Sequence, residues 1–273
     1  MLKRYKKFKV ACIQMNSQDN FESNLIFIEK KINILIKKKV KLIILPENCF
    51  FMAKNNNYLL KFNYSENKNP GILKIKELAK KFKVWIIIGS TCVKEKKKLF
   101  NRSLLIGPNG EIRLRYNKIH LFSAKLPNGD LYDEKKYFDQ GNKLSLLNTP
   151  FAKIGLTICY DLRFPYLYRK LAIKGAEIIT VPSAFTNFTG KIHWHSLLKA
   201  RAIETGCYIL APAQQGIHPD GRKTFGHTIV IDPWGRIINE CNNKENIIIS
   251  EIDINKVYSA RNSIPSLKLN VKI

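Results

Sequence analysis

Short runs of β-branched and aliphatic residues alternate with amphipathic segments along the chain, and this alternation limits the possible folds. Residues 10–14 predict a strand, and apolar residues at helical spacing across residues 21–38 predict a helix after it. Residues 41–45, closed by Pro46, predict a second strand. Alternating strands and helices of this kind indicate an α/β protein in which helices cover sheets.

The same pattern continues to the end of the chain. Pro108-Asn109-Gly110 separates two strand-like runs and predicts a hairpin. Helices are predicted at residues 70–82, from Pro165 onwards, and at 193–205. Further strands are predicted at residues 84–91, 101–106, 111–116, 153–159, 178–181, 208–211, 228–231 and 247–252. A length of 273 residues without a linker-like stretch predicts one domain, residues 1–273.

The chain is strongly basic, with 47 Lys+Arg against 21 Asp+Glu and a net charge of +26. Such a charge is compatible with a basic nucleic-acid-binding protein, which is the non-enzyme alternative. However, the lysine-rich segments, residues 3–9, 37–41, 80–83 and 94–98, are scattered and are not interleaved with aromatic residues on one face. We therefore expect a solvated basic surface, no nucleic-acid partner and an affinity for small acidic molecules.

Cysteine usage and the N-terminus predict the compartment. The six cysteines include no CxxC pair that would suggest a metal site, and most of them lie in or beside apolar runs. The apolar run near the N-terminus is too short for a signal peptide, and no segment approaches the length of a membrane span. We expect a cytoplasmic protein with free thiols, no membrane partner, no metal and no cofactor.

Three side chains with useful chemistry follow predicted strands. Glu47 comes after the strand at residues 41–45, Lys118 after the second strand of the hairpin, and Cys159 at the end of the strand at residues 153–159. Strand ends are rigid positions from which side chains can converge on a crevice. Each residue alone is compatible with an ordinary structural role, so their combination carries the prediction.

The segments around these residues resemble the nitrilase superfamily of carbon–nitrogen hydrolases, and the likeness covers nearly the whole chain. The Nit-type amidase branch is the most similar. The motifs that carry this resemblance are YDLRFP at 160–165, PSAFT at 182–186, TG and HW at 189–194, ARAIET at 200–205, and GH through DPWG at 226–235.

The resemblance implies a four-layer α-β-β-α sandwich with two sheets packed face to face, and a homodimer. It also implies that Cys159 is the nucleophile, Glu47 the general base and Lys118 the residue that stabilises the tetrahedral intermediate. The backbone N–H of Tyr160 is expected to be a second oxyanion donor. We also expect Lys118 to lower the pKa of the Cys159 thiol.

A second glutamate of the family matches Glu134, which would position Lys118 or the attacking water. The alternative is a surface carboxylate within the charged run at residues 133–136. Ser123 and the segment 139–141 depart from the pattern of the branch, which puts this loop and its specificity in question rather than the three catalytic residues.

Substrate contacts are expected from Tyr160, Arg163, Phe185, Thr186 and Trp194. Arg163 is equally compatible with an ion pair to Asp161 or to another buried acid, and Trp194 with a place in the core. A cysteine–histidine pair with His193 or His195 is a weaker alternative to the Glu–Lys–Cys arrangement.

The resemblance, through the segments SAFT and ARAIET, implies hydrolysis of the carboxamide of a small acidic substrate similar to deaminated glutathione, as metabolite repair. Omega-amidase activity on 2-oxoglutaramate and hydrolysis of N-carbamoyl amines are alternatives, because the same thiol chemistry serves all of them. An inactive scaffold is a further alternative, although Glu47, Lys118 and Cys159 are all present.

Overall fold

The computed structural model describes residues 7–55, 59–60, 62–242 and 246–269. Both ends of the predicted domain and the first part of the lysine-rich segment 3–9 lie outside the described residues. Two six-stranded sheets form the centre of the molecule. None of the helices in the described part of the chain combines the length and hydrophobicity that a membrane crossing requires.

The first sheet has the strand order β16-β1-β2-β3-β4-β5. Strands β1 to β3 are parallel to one another, and the outer neighbours are antiparallel. The strands are β1 (Lys7–Ile13), β2 (Leu42–Ile44), β3 (Trp85–Glu95), β4 (Lys98–Ile106), β5 (Ile112–Asn117) and β16 (Ile247–Asp253).

The second sheet repeats this arrangement with the order β15-β14-β11-β10-β9-β8. Its three middle strands β9 to β11 are parallel, and the outer strands are antiparallel. The strands are β8 (Leu146–Asn148), β9 (Lys153–Leu156), β10 (Ile178–Thr180), β11 (Tyr208–Ala211), β14 (Ile229–Ile231) and β15 (Ile237–Glu240).

Helices cover the outer face of each sheet. Because side chains of a strand alternate between faces, Val10 and Cys12 of β1 lie in the core that includes both sheets. Ala11 and Ile13 lie in a second core with residues of the first two helices. The predicted α-β-β-α sandwich is thereby confirmed. The helices are α1 (Phe21–Ile36), α2 (Pro70–Phe82), α3 (Pro165–Ile173), α4 (Asn187–Thr205) and α5 (Asn255–Ser263).

Two small hairpins lie outside the main sheets and were not predicted. The first pairs β6 (Ser123–Lys125) with β7 (Leu131–Asp133), and the second pairs β12 (Gln215–Ile217) with β13 (Lys223–Phe225). The dipeptide Asn128-Gly129 between β6 and β7 is a hairpin signal that would have revealed the first of them.

Two predicted boundaries were wrong near the motif residues. The predicted strand to residue 159 ends at Leu156, because Cys159 has a φ of 47°, which a strand cannot contain. The helix predicted from His193 begins at Asn187, where the side chain of Thr186 accepts a hydrogen bond from the Thr189 N–H and caps the helix.

Gly89 on β3 allows the strand ends of the two sheets to approach each other. A Cβ atom at this position would lie 1.9 Å from the Leu45 carbonyl oxygen, 2.5 Å from that of Pro46 and 2.6 Å from Cβ of Pro182. Most of these neighbours are backbone atoms, which cannot move independently of their strands. Gly89 therefore sets the spacing at the place where Glu47 leaves the first sheet.

We predict that Gly89→Ala lowers the free energy of unfolding by about 3 kcal/mol because of this overlap. The matched control is Gly155→Ala, where the added methyl meets side-chain atoms, the methyl groups of Leu171 at 3.2 Å and 3.3 Å and Cβ of Ala176 at 3.5 Å. Urea unfolding followed by circular dichroism measures both changes. Equal losses in the two variants would show that the close approach at Gly89 is not a special constraint.

Candidate active site

A cleft of about 970 Å³ contains Glu47, Lys118 and Cys159 among its lining residues. Glu47 and Lys118 come from the first sheet, shortly after β2 and β5, and Cys159 follows β9 of the second sheet. The two unpredicted hairpins and the beginning of α4 also line the cleft. The fold thus brings together three side chains that are distant in sequence.

Glu47 is buried, with 3% of its surface exposed, and both of its oxygens accept hydrogen bonds. Oε1 lies 2.8 Å from Nζ of Lys118 and 3.0 Å from Nδ2 of Asn101, and Oε2 accepts the Ala184 N–H at 2.8 Å. Burial acts to raise the pKa of Glu47, but the charge and hydrogen bond of Lys118 outweigh it, so the pKa is lowered. The carboxylate is therefore ionised at neutral pH.

Lys118 is 2% exposed and lies between two carboxylates. Its Nζ atom is 2.8 Å from Glu47 Oε1 and 2.8 Å from Glu134 Oε2. Burial acts to lower the pKa of Lys118, but the charges of Glu134 and Glu47 raise it well above the usual value. The side chain therefore stays an ammonium ion, which can donate hydrogen bonds but cannot accept a proton.

Glu134 is a member of this cluster and not an isolated surface carboxylate. Besides the bond from Lys118, its oxygens accept hydrogen bonds from Nδ2 of Asn101 at 3.0 Å and from the backbone N–H of Phe122 at 2.8 Å. Asn101 donates to both Glu47 and Glu134 through the same nitrogen. These contacts fix the position of Lys118 from two sides.

Cys159 begins a 3₁₀ turn that spans Cys159–Arg163. Its φ of 47° lies in the left-handed region, which is unusual for a residue with a side chain. The backbone N–H donates to the carbonyl of Pro182 at 3.0 Å and holds the turn. Such strained turns occur at functional sites, where they direct a side chain into a cleft.

The thiol of Cys159 is protonated at rest. Burial and then the Glu47 carboxylate raise its pKa, and the opposing effect of Lys118 is smaller. Lys118 does act to lower the pKa of this thiol, as expected, but burial and the Glu47 carboxylate outweigh it, so the net pKa is raised. Glu47 is close enough to the thiol to shift its pKa, so a proton acceptor lies beside the sulfur.

The predicted substrate contacts fall into two groups. Thr186 lines the cleft, whereas Tyr160, Arg163, Phe185 and Trp194 are not among its lining residues. Trp194 has no exposed surface, and its Nε1 donates to the carbonyl of His227 at 2.9 Å. This tryptophan is part of the core between α4 and the second sheet.

Among the described residues Arg163 forms no ion pair with Asp161, whose partner is His120, and it is not one of the residues that line the cleft. Its guanidinium lies 5.2 Å from the centre of the Phe185 ring, and one nitrogen is 3.3 Å from Nδ1 of His193. The carboxylate of Asp161 accepts its hydrogen bonds from other residues. The cation is thus held against an aromatic ring behind the cleft wall.

Sequence reasoning missed the residues that hold the carboxylates. Asn101 was treated as part of a strand, and the N–H groups of Phe122 and Ala184 have no side-chain signal that a sequence could show. A polar residue inside the apolar β4 was the available signal for Asn101, since a buried amide needs partners.

One histidine cluster outside the cleft lining has metal-ligand chemistry. Ligand atoms of His195, His227 and Glu240 all lie within 4.8 Å of one another. Oε1 of Glu240 is 2.9 Å from Nε2 of His195 and 2.5 Å from Nδ1 of His227. These hydrogen bonds account for the cluster without an ion, and they pair His195 with a glutamate rather than with Cys159.

Comparisons with known proteins agree with this geometry. The family model described as carbon-nitrogen hydrolase matches residues 9–262. A deaminated glutathione amidase of Synechocystis sp. is 38% identical over 271 residues, which cover 97% of this chain and 99% of that protein.

Solved structures give the same relationship. The C. elegans NitFhit protein superposes with a TM-score of 0.92 at 33% identity, covering 98% of this chain and 66% of that one. Saccharomyces cerevisiae Nit3, described as a member of branch 10 of the nitrilase superfamily, has a TM-score of 0.85 at 28% identity and 96% coverage of both chains. The chain therefore belongs to the carbon–nitrogen hydrolase family of the nitrilase superfamily.

Proposed function

We propose that this chain is a single-domain amidase that cleaves the amide of a small acidic substrate similar to deaminated glutathione, through a thioester on Cys159. The observation that carries the proposal is that Glu47, Lys118 and Cys159 line one cleft, where Glu47 lies 2.8 Å from the Lys118 ammonium and close enough to the thiol to shift its pKa. These groups supply a nucleophile, a proton acceptor and an oxyanion donor.

In the first half of the reaction the sulfur attacks the amide carbon while Glu47 takes the thiol proton. The C=O π electrons move to the oxygen, and the Lys118 ammonium donates a hydrogen bond to it. Collapse of this intermediate breaks the C–N bond, and protonated Glu47 gives its proton to the leaving nitrogen. The products of this half are ammonia or an amine and an acyl thioester.

In the second half Glu47 takes a proton from a water molecule, which attacks the thioester carbon. The new intermediate collapses by breaking the C–S bond, and Glu47 returns the proton to sulfur. An acid leaves, and the enzyme is restored with a carboxylate and a thiol. The Tyr160 N–H, directly after the nucleophile, is a second donor for the oxyanion in both halves.

The residues that line the cleft are balanced in formal charge, five basic against five acidic, but three lysines among them are placed to bind an acidic substrate. Lys136, Lys191 and Lys223 line the cleft and are exposed, and they form no ion pair among the described residues. Asp220, by contrast, is paired with Arg222 at 2.9 Å. A substrate with carboxylates would find cations without acidic partners at the wall formed by α4 and β13.

Assembly and location remain part of the proposal. A homodimer is supported by exposed apolar side chains on the outer helical layer, where Tyr166, Ile173 and Ile203 are 52%, 53% and 58% exposed. We propose a cytoplasmic enzyme of metabolite repair with no cofactor. Omega-amidase activity and N-carbamoyl-amine hydrolysis use the same groups, so the substrate panel below includes both.

Replacing Cys159 with Ala is expected to reduce amide hydrolysis by about 10⁴-fold or more, since the nucleophile is lost. Amine and ammonia release is measured with a deaminated glutathione, 2-oxoglutaramate and an N-carbamoyl amine as substrates. Cys92→Ala is the matched control, because Cys92 is buried and lines the same cleft. Residual turnover by Cys159→Ala near the level of this control would contradict the thioester route.

The double variant Lys191→Ala/Lys223→Ala is expected to raise KM for the acidic substrate by about 10-fold, with kcat almost unchanged. The two lysines that it removes would bind the substrate away from the reacting bond. For the ester or amide of the same substrate, which lacks the distal charge, the double variant should change KM little. Lys174→Ala, an exposed lysine outside the cleft lining, is the control. Equal losses for charged and neutral substrates would contradict the role of these lysines.

A further inference from the structure

A buried carboxylate connects the segment that carries Lys118 with the segment that carries Cys159. Asp161 is the third residue of the turn that begins at Cys159, and it has no exposed surface. It does not line the cleft, so it has no contact with a substrate there. Its two oxygens nevertheless accept four hydrogen bonds.

The donors come from both sides of the site. Oδ2 accepts the backbone N–H of Ile158 at 2.9 Å and the hydroxyl of Tyr116 at 2.7 Å. Oδ1 accepts the backbone N–H of His120 at 3.1 Å and lies 2.6 Å from its Nδ1. Ile158 precedes Cys159 directly, whereas Tyr116 and His120 lie two residues before and after Lys118.

We propose that Asp161 is a positioning residue that fixes the distance between the Lys118 ammonium and the Cys159 sulfur. The inference rests on the proposed roles of these two residues. Lys118 follows β5 of the first sheet and Cys159 follows β9 of the second, so a small sliding of one sheet over the other would separate them. The hydrogen bonds of Asp161 cross between the two segments and oppose that sliding.

The donors themselves are held in place. Burial and then the charge of Asp161 raise the pKa of Tyr116 well above its usual value, so this phenol stays protonated and donates. The His120 ring stacks on Phe164 with the ring centres 3.6 Å apart, and its Nε2 contacts the hydroxyl of Tyr166. Hydrogen bonds to a charged acceptor are stronger than neutral ones, especially when both partners are buried.

Tyr116→Phe tests this role because it removes one hydrogen bond between the two segments and leaves the ring in place. We expect kcat to fall about 10-fold with KM changed little, since a displacement of a fraction of an ångström affects the transition state more than substrate binding. Tyr168→Phe is the matched control. Tyr168 is also buried and its hydroxyl lies 2.8 Å from Thr157 Oγ1, but this bond stays within the second sheet and its helices.

The rate of alkylation of Cys159 by iodoacetamide, measured by peptide mass spectrometry, is a second readout that needs no substrate. It should fall in Tyr116→Phe relative to Tyr168→Phe, while urea unfolding shows similar losses of stability for both. Asp161→Asn should give a larger fall in the same direction, about 100-fold in kcat, because its NH₂ group would face donors.

The positioning role of Asp161 is overturned if Tyr116→Phe and Tyr168→Phe show the same kcat and the same alkylation rate. It is also overturned if kcat falls only in proportion to the folded fraction. The alkylation rates decide this point by themselves. If the wild-type protein released no amine or ammonia from any of the amides, that result would contradict the proposed function but not the positioning role of Asp161.

Discussion

The ammonium of Lys118, buried between the carboxylates of Glu47 and Glu134, is the interaction on which the site depends. Removing three charged groups from water costs several kcal/mol for each, and only close pairing compensates that loss. The distances of 2.8 Å from Nζ to both carboxylates provide this pairing. Loss of one partner would leave an uncompensated charge in a buried place, so all three groups are needed together.

This pairing also explains why the nucleophile is a thiol at rest. The cation that would stabilise a thiolate is shared with two carboxylates, and one of them, Glu47, raises the pKa of the thiol. Burial first, and the Glu47 carboxylate second, raise the pKa of Cys159, and that of Glu47 is lowered by Lys118. Proton transfer from sulfur to Glu47 therefore has to accompany the attack on the substrate, when charge moves from sulfur to the oxygen near Lys118.

Helix ends were predicted correctly where a strong local signal, such as a proline, marks them. The helix Pro70–Phe82 was predicted with both ends correct, because Pro70 occupies the first turn and Lys83, in the left-handed conformation, ends the helix. The start of α4 at Asn187 was missed, since a threonine cap gives a weaker signal than a proline. The family motifs predicted which three residues share a cleft, but not that burial and Glu47 would outweigh the effect of Lys118 on the pKa of the thiol.

Contacts that depend on packing could not be read from the sequence. Trp194 lies in the core and Arg163 lies over Phe185, because the partner of an aromatic or cationic side chain depends on how α4 meets the second sheet. Asn101 and Asp161 look like ordinary polar residues of a strand and a turn. Their roles become visible only when the two sheets are packed and the donors of both segments meet.

The covalent intermediate is the central claim, and rapid acid quenching followed by peptide mass spectrometry tests it most directly. During turnover of an amide substrate, the peptide that contains Cys159 should gain the mass of the acyl group, and hydroxylamine should remove it. The peptide that contains Cys92 should stay unmodified. Steady product formation with no acyl group on Cys159 at any quench time would contradict the account.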